Sequence, residues 1–296
     1  MAVFIESLAS YVPANRLDND TLSKLTDKSP AWFLERTGIG ERSRAESNET
    51  TSSMAIDSVD RLMHAHPGAL QDVDLIIGAS YTPDDTLSNM AARVQRTFEL
   101  ETARVYFLST ACTSFISCLE LAELMLEAGK AHRALIVVSE HNSRFTEDAN
   151  PYSGHLWGDG AAAIVVSKSA EKAKFRIEYA ESRGMACAGL GPEAITLDPT
   201  QGQQGLVMAH GRDVFNNACR QLVAEVNTGL GSCGLTAQNI DWFVPHQANM
   251  RIINQVAKNL KLSQDRCVIT IGERCLFRCA SINQPLGDAS ASLYCF

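Results

Sequence analysis

The strongest constraint on the fold is a set of short apolar runs with no polar face. They are 74–78 ("DLIIG"), 134–139 ("ALIVVS"), 161–167 ("AAAIVVS"), 241–244 ("DWFV") and 267–271 ("CVITI"), separated by longer segments of helical character. A strand that is apolar on both faces must be covered on both, which is the signature of a sheet sandwiched between helices. The runs therefore predict five buried strands in an α/β fold. Two of them share a lead-in, "QDVDLIIGAS" from Gln71 and "QNIDWFVPHQ" from Gln238, with Gln, then Val or Ile, then Asp before the strand. This hints at a duplicated architecture, 1–168 and 169–296, with no low-complexity linker between the halves.

The segment 113–128 reads as a helix stopped by Gly129. Glu120, Glu123 and Glu127 form one polar stripe. Phe115, Leu119, Leu121, Leu124, Met125 and Leu126 cover the remainder, so a largely buried helix is expected. Cys112 would then stand at its N-terminus, where the helix dipole and free backbone N–H groups favour a thiolate nucleophile. His246, in "VPHQANMRI", leaves the strand "DWFV" at the kind of strand exit where α/β folds gather functional groups. Beyond it Ile253, Val256 and Leu260 mark a buried helical face, while Arg251, Lys258 and Lys261 line a basic strip. "HLWGDGAAA" supplies a tight turn at 158–160, expected to use glycines with positive φ; with no Walker lysine and no following helix it is not a phosphate loop.

Bulk properties narrow the function classes. A net charge of −8 argues against a nucleic-acid binder. The start, "MAVFIESLASY", is broken by Glu6 and lacks a basic leader, and no run reaches the roughly 18–20 apolar residues of a membrane span. A cytoplasmic protein without membrane attachment is expected. Nine scattered cysteines without metal spacing read as free thiols, with no metal and no resident cofactor.

Several motifs occur together in one order: "WFLERTGIGERSR", "STACTSF", "LWGDGAAA", "HGRDVF" and "VPHQANMRII". In this the chain resembles the thiolase superfamily, and specifically 3-oxoacyl-[acyl carrier protein] synthase III, over about residues 1–284. The resemblance implies a five-layer αβαβα fold of two similar halves, usually a homodimer. It also implies a ping-pong decarboxylative Claisen condensation, in which Cys112 takes an acyl group from a coenzyme A thioester and malonyl-[acyl carrier protein] then attacks it. His246 would hydrogen-bond the malonyl thioester oxygen. Trp32 and Arg36 match residues at the adenine end of coenzyme A. Trp157 in "LWGDG", Arg212, Phe215, Ala248 and Asn249 match substrate-channel positions. Arg251 and Lys258 match a carrier-protein patch, and Leu87 an acyl-pocket gate supplied to the partner subunit.

The sequence departs from the family in several places, among them Phe107 and Ser109 before the cysteine. Thr113 and Ser114 follow the cysteine where a small residue and Gly are usual. In "GERCLFRCASI" the register of the family's G-N-x-S-x-A-S motif puts Leu276 at the position of a catalytic Asn, and the final glycine-rich strand is expected to be missing. A leucine donates no hydrogen bond to an enolate, and losing such a donor typically costs about 10²–10³ in rate. Asn-Cys-Ser-Val codons, AAC TGT TCC GTT GC, read in a shifted frame as CTG TTC CGT TGC, reproduce Leu-Phe-Arg-Cys at 276–279. Leu276 keeps two other expectations in view. One is an acyltransferase on the same fold with a hydroxyl or amine acceptor, the other a non-catalytic subunit of a heterodimer.

Overall fold

The computed structural model describes residues 2–272 and the backbone of 293–295. A six-stranded mixed sheet dominates the N-terminal part, in the order β5-β4-β6-β7-β1-β8. Its strands are β1 (Val3–Tyr11), β4 (Leu75–Ala79), β5 (Arg104–Leu108), β6 (Arg133–Glu140), β7 (Gly160–Ser167) and β8 (Phe175–Ile177). β4 runs parallel to both β5 and β6, whereas β6/β7, β7/β1 and β1/β8 are antiparallel. A hairpin-like pair, β2 (Asn15–Asp18) and β3 (Glu41–Arg44), brackets helices α1 (Asn19–Leu25) and α2 (Pro30–Thr37).

Helices cover both faces of the sheet, as its apolar strands require. Along β4, Leu75 and Ile77 point to one face, where they meet Cys118, Ala122 and Leu126 of α5 (Ser114–Glu127). Ile76 points to the other, against α3 (Thr51–Ala65) and α4 (Met90–Thr97), among Val59, Leu62 and Val94. Each such side chain contributes on the order of 1.5–3 kcal/mol by leaving water. Gly78 lets α4 approach closely, since a Cβ there would sit 2.7 Å from the Ala91 Cβ. The buried helix expected after Cys112 is present, stopped by Gly129 at φ +65°. Leu124, however, is 57% exposed and lies outside its packed face. The polar stripe is used locally: Glu120 accepts from the Ser182 N–H (2.9 Å) and hydroxyl (2.6 Å).

Two short strands, β9 (Thr196–Leu197) and β10 (Leu206–Val207), pair between the two parts. The C-terminal part packs α6 (Gly211–Ser232) and α7 (Met250–Leu260) around Val226, Leu230, Phe243, Ile253, Val256 and Leu260. Its strand β11 (Trp242–Val244) lies parallel to β12 (Leu293–Cys295). β4 and β11 each begin directly after the Asp of the shared lead-in. The expected strand at 267–271 does not form; only a bridge between Phe243 and Cys267 is made. The Gln247 side chain takes over the pairing instead, donating to the Val268 carbonyl (3.0 Å) and accepting from the Thr270 N–H (2.9 Å).

The two parts meet through residues 38–40. Gly38, at φ +79°, caps α2 and places its Cα so close to α7 that a Cβ would lie 2.5 Å from the Met250 Cβ. Ile39 packs with Ile271, and the Gly40 N–H donates to the Gly272 carbonyl (3.2 Å). No helix of the described residues is long and apolar enough to cross a membrane. Leu276 lies outside the described residues, but a C-terminal strand, expected to be missing, does form as β12 beside β11.

Candidate active site

The register of the sheet brings three loops to one end. Ala79 faces Leu108 on one side and Val138 on the other, so residues 80–82, 109–113 and 140–142 all leave the same carboxyl edge. In α/β sheets this is where ligands meet the fold.

Cys112 stands in a short 3-10 turn (Ala111–Thr113) that leads into α5. Ala111 before it is held at φ +50°, a left-handed conformation that costs an L-residue about 1–2 kcal/mol. The hydroxyls of 110–114 hold that turn. Ser114 Oγ accepts from the Thr110 N–H (3.2 Å) and donates to the Ala111 carbonyl (2.7 Å), and Thr113 Oγ1 donates to the Thr110 carbonyl (2.7 Å). The unusual Thr113-Ser114 pair is thus a brace for the turn. Cys112 is exposed, yet the walls around it desolvate its thiol, and with the Glu140 carboxylate they push it up to about 11. The thiolate expected from the helix dipole is therefore disfavoured; desolvation and the Glu140 carboxylate outweigh the dipole.

Beneath the thiol lies a polar network that sequence reasoning missed. Buried Glu140 accepts hydrogen bonds from Ser80 Oγ (3.0 Å), the Tyr81 N–H (3.0 Å), the Thr82 N–H (3.1 Å) and Thr82 Oγ1 (2.5 Å). Tyr81 donates its hydroxyl to Asn142 Oδ1 (2.6 Å), and Asn142 donates to the Gly158 carbonyl (2.7 Å). The only advance signal was a Glu closing the apolar run "ALIVVSE". The 158–160 turn is pinned by Asp159, which accepts from the N–H groups of Ala45 (2.7 Å) and Ser143 (2.8 Å) and from Ser143 Oγ (2.5 Å). Contrary to expectation, Gly158 and Gly160 are not among the positive-φ glycines; this anchored carboxylate shapes the turn.

His246 leaves β11 in a loop braced by Gln247, whose amide also donates to the Pro245 carbonyl (2.9 Å). Burial lowers the His246 imidazole to about 4, so it is neutral at ordinary pH. Ala248 is half-buried in the same loop, and Asn249 caps α7 by accepting from the Arg251 N–H (2.8 Å).

The remaining candidates fall into groups. Ser29 and Pro30 start α2 so that Trp32 and Arg36, four residues apart, share a face. The Lys28 ammonium (5.6 Å) and the Arg36 guanidinium (5.8 Å) both lie over the Trp32 ring, which makes a T-shaped contact with His155 (5.5 Å). On α6, Arg212 is exposed and Phe215 half-buried, with the Arg251 guanidinium 5.6 Å over the Phe215 ring. Lys258 and Lys261 are exposed along α7, the latter ending the helix at φ +58°. Trp157 is buried, clustered with Phe145 and Leu206. Leu87 is 89% exposed, and nothing in one chain makes it a gate. Two recesses of about 310 and 320 Å³, lined by residues such as Arg133 and Lys168 or Ser52 and Arg96, include neither Cys112 nor His246.

Comparison with known proteins agrees with this geometry. The family description 3-oxoacyl-[acyl-carrier-protein] synthase III matches residues 107–183, and its C-terminal counterpart matches 230–290. A β-ketoacyl-[acyl-carrier-protein] synthase III of Sphingopyxis alaskensis is 34% identical over 286 residues, 94% of this chain and 87% of the relative. Among solved structures, a synthase III from Thermus thermophilus superposes with a TM-score of 0.84 at 33% identity, covering 94% of this chain and 87% of that one. The synthase III of Aquifex aeolicus gives 0.83 at 30% identity, covering 95% and 88%. The architecture is the thiolase-like α/β fold of those structures. The chain belongs to the 3-oxoacyl-[acyl-carrier-protein] synthase III family.

Proposed function

We propose that the chain is a condensing enzyme of the ketoacyl synthase III type, acting in the cytoplasm as a homodimer on acyl-coenzyme A and malonyl-[acyl carrier protein]. The observation that carries this reading is Cys112, exposed on a braced turn at the head of buried helix α5, in a chain of this family. In the first half-reaction the Cys112 S–H bond breaks as its sulfur bonds the acyl carbon. The carbon–sulfur bond to coenzyme A breaks in turn, and the proton leaves on the coenzyme A thiol. Backbone N–H groups at the head of α5 are suited to the oxyanion that forms between these events. In the second, loss of carbon dioxide from the malonyl group leaves an electron pair that attacks the acyl carbon. The bond to Cys112 breaks and its sulfur takes up a proton from solvent, the one proton the overall condensation consumes. A neutral His246 suits this step as a hydrogen-bond donor to the enolate oxygen, since a neutral imidazole always carries one N–H.

Trp32, Lys28 and Arg36 offer an aromatic ring with two cations for the nucleotide end of coenzyme A. Arg251 and Lys258, exposed on one helix of an acidic chain, offer an acidic carrier protein a basic landing. The dimer rests on β5, an end strand of the sheet carrying exposed Tyr106. An unpaired edge of this kind is covered in stable proteins, and a second copy would also cover Leu87.

Leu276 favours a second reading, transfer of the Cys112-bound acyl group to a hydroxyl or amine without decarboxylation. Incubation with a panel of acyl-coenzyme A donors, followed by intact and peptide mass spectrometry, tests both. An adduct on Cys112, absent from Cys112→Ser, is expected, with carbon dioxide released from malonyl-[acyl carrier protein]. An adduct without decarboxylation supports the transferase, and no adduct with any donor overturns both.

A further inference from the structure

Glu140 is a buried carboxyl that the proposed chemistry does not use. Its partners are two backbone N–H groups and two hydroxyls, none of which carries a positive charge. It ends β6, two residues past Val138, which pairs with Ala79; Cys112 stands four residues past Leu108, which pairs with the same Ala79 on its other side. The carboxyl thus ties residues 80–82, which leave β4 beside the cysteine turn, to the end of β6. The 80–82 segment is tied in further, for the Thr82 carbonyl accepts from Thr51 Oγ1 (2.5 Å) and Thr82 Oγ1 from the His141 N–H (2.8 Å).

We infer that Glu140 is a positioning residue for the Cys112 thiol: its carboxyl fixes residues 80–82 at the mouth beside Cys112 and opposes a second negative charge there. This rests on the reading of Cys112 as the nucleophile. Burial pushes the Glu140 carboxyl up to about 8 even against the pull of its four donors. The other titratable groups around the pair are Tyr81, which feels both anions, and His141 and Asp159 beyond it. Tyr81 stays protonated, so it adds a hydrogen-bond donor and no charge. Two groups so placed hold one negative charge far more cheaply than two. Since the thiolate is the form that oxidises and alkylates, the unloaded nucleophile is kept protonated until an acyl donor enters. Acylation removes the ionisable sulfur, and the opposition ends.

The test is the pH profile of iodoacetamide alkylation at Cys112, read peptide by peptide in the full chain, with buried Cys118 as an internal report on folding. It needs no acyl donor, so it fails independently of the condensing or transferase reading. In Glu140→Gln the Cys112 midpoint should fall by about one pH unit. That raises the thiolate fraction about tenfold where Glu140 is ionised, above about 8 and below the Cys112 midpoint. Intrinsic nucleophilicity falls with thiol pKa, leaving a net acceleration of about threefold at about pH 9.5. Glu140→Asp keeps the charge and should keep the wild-type midpoint. Equal shifts in both variants, or none in Glu140→Gln with Cys118 still protected, would overturn the inference. Should Glu140→Gln not fold, the wild-type profile decides: a Cys112 midpoint near the ordinary thiol value of about 8.5 refutes it.

Discussion

Replacing Asp159 by alanine tests how the polar network under the candidate nucleophile is held together. The carboxylate is fully buried and accepts from three donors, the Ala45 N–H, the Ser143 N–H and the Ser143 hydroxyl, at 2.5–2.8 Å. Hydrogen bonds to a charged acceptor contribute about 1.5–3 kcal/mol each. The hydroxyl can turn to another partner, and both backbone donors are half-buried, so water meets part of their need. Removing the charge also recovers some desolvation cost. A net loss of about 2–4 kcal/mol remains, or a fall in Tm of about 3–6 °C for a chain of this size. Thermal unfolding by circular dichroism measures it. Ser143→Ala alone should cost about 1 kcal/mol. The pair should also be non-additive, because the two residues share a bond. Because Asn142 holds both Tyr81 and the Gly158 carbonyl, Cys112 alkylation well below the new Tm should change too. A Tm within 2 °C of wild type (roughly 1 kcal/mol or less) would refute the idea that Asp159 shapes this turn.

Acid should weaken the fold in a defined window. His155 and His246 are both lowered to about 4 by burial, His155 with help from Arg42, so the unfolded chain binds more protons between pH 6.5 and 4. Stability is then present above about 6.5 and lost as pH falls towards 4, by up to about 3 kcal/mol per histidine, and His155→Gln should flatten the denaturant midpoint across that range. Gly38→Ala meets a left-handed φ and a Met250 contact at 2.5 Å, so a cost of about 2–4 kcal/mol is expected in chemical unfolding. Glu6→Ala leaves Arg133, now 2.6 Å from that carboxylate, as an unpaired buried charge and should cost about 3–5 kcal/mol, with Glu6→Gln closer to wild type. Under the proposed function, Arg251→Glu with Lys258→Glu should raise KM for the carrier protein and weaken its salt dependence, leaving Cys112 acylation by acyl-coenzyme A unchanged.

Much of the frame could be read from the chain alone. The runs that became β4, β6 and β7 are apolar throughout because helices cover both their faces, and no other environment tolerates that pattern. The helix after Cys112 and the buried face of α7 followed from spacing for the same reason. The run at 267–271 misled, because a side-chain amide, Gln247, took over its hydrogen bonds, and such a substitution leaves no periodic trace.

Charge state was beyond the sequence altogether. Position at a helix head argues for a thiolate at Cys112, yet its proton affinity is decided by the walls that desolvate it and by Glu140, 28 positions away in the chain and on the far side of β4 in space. Local sequence determined where the nucleophile and the histidine sit, because strand ends and helix starts are local. Only the tertiary structure determined what those groups carry, because desolvation and Coulomb energy depend on neighbours that the chain order does not name.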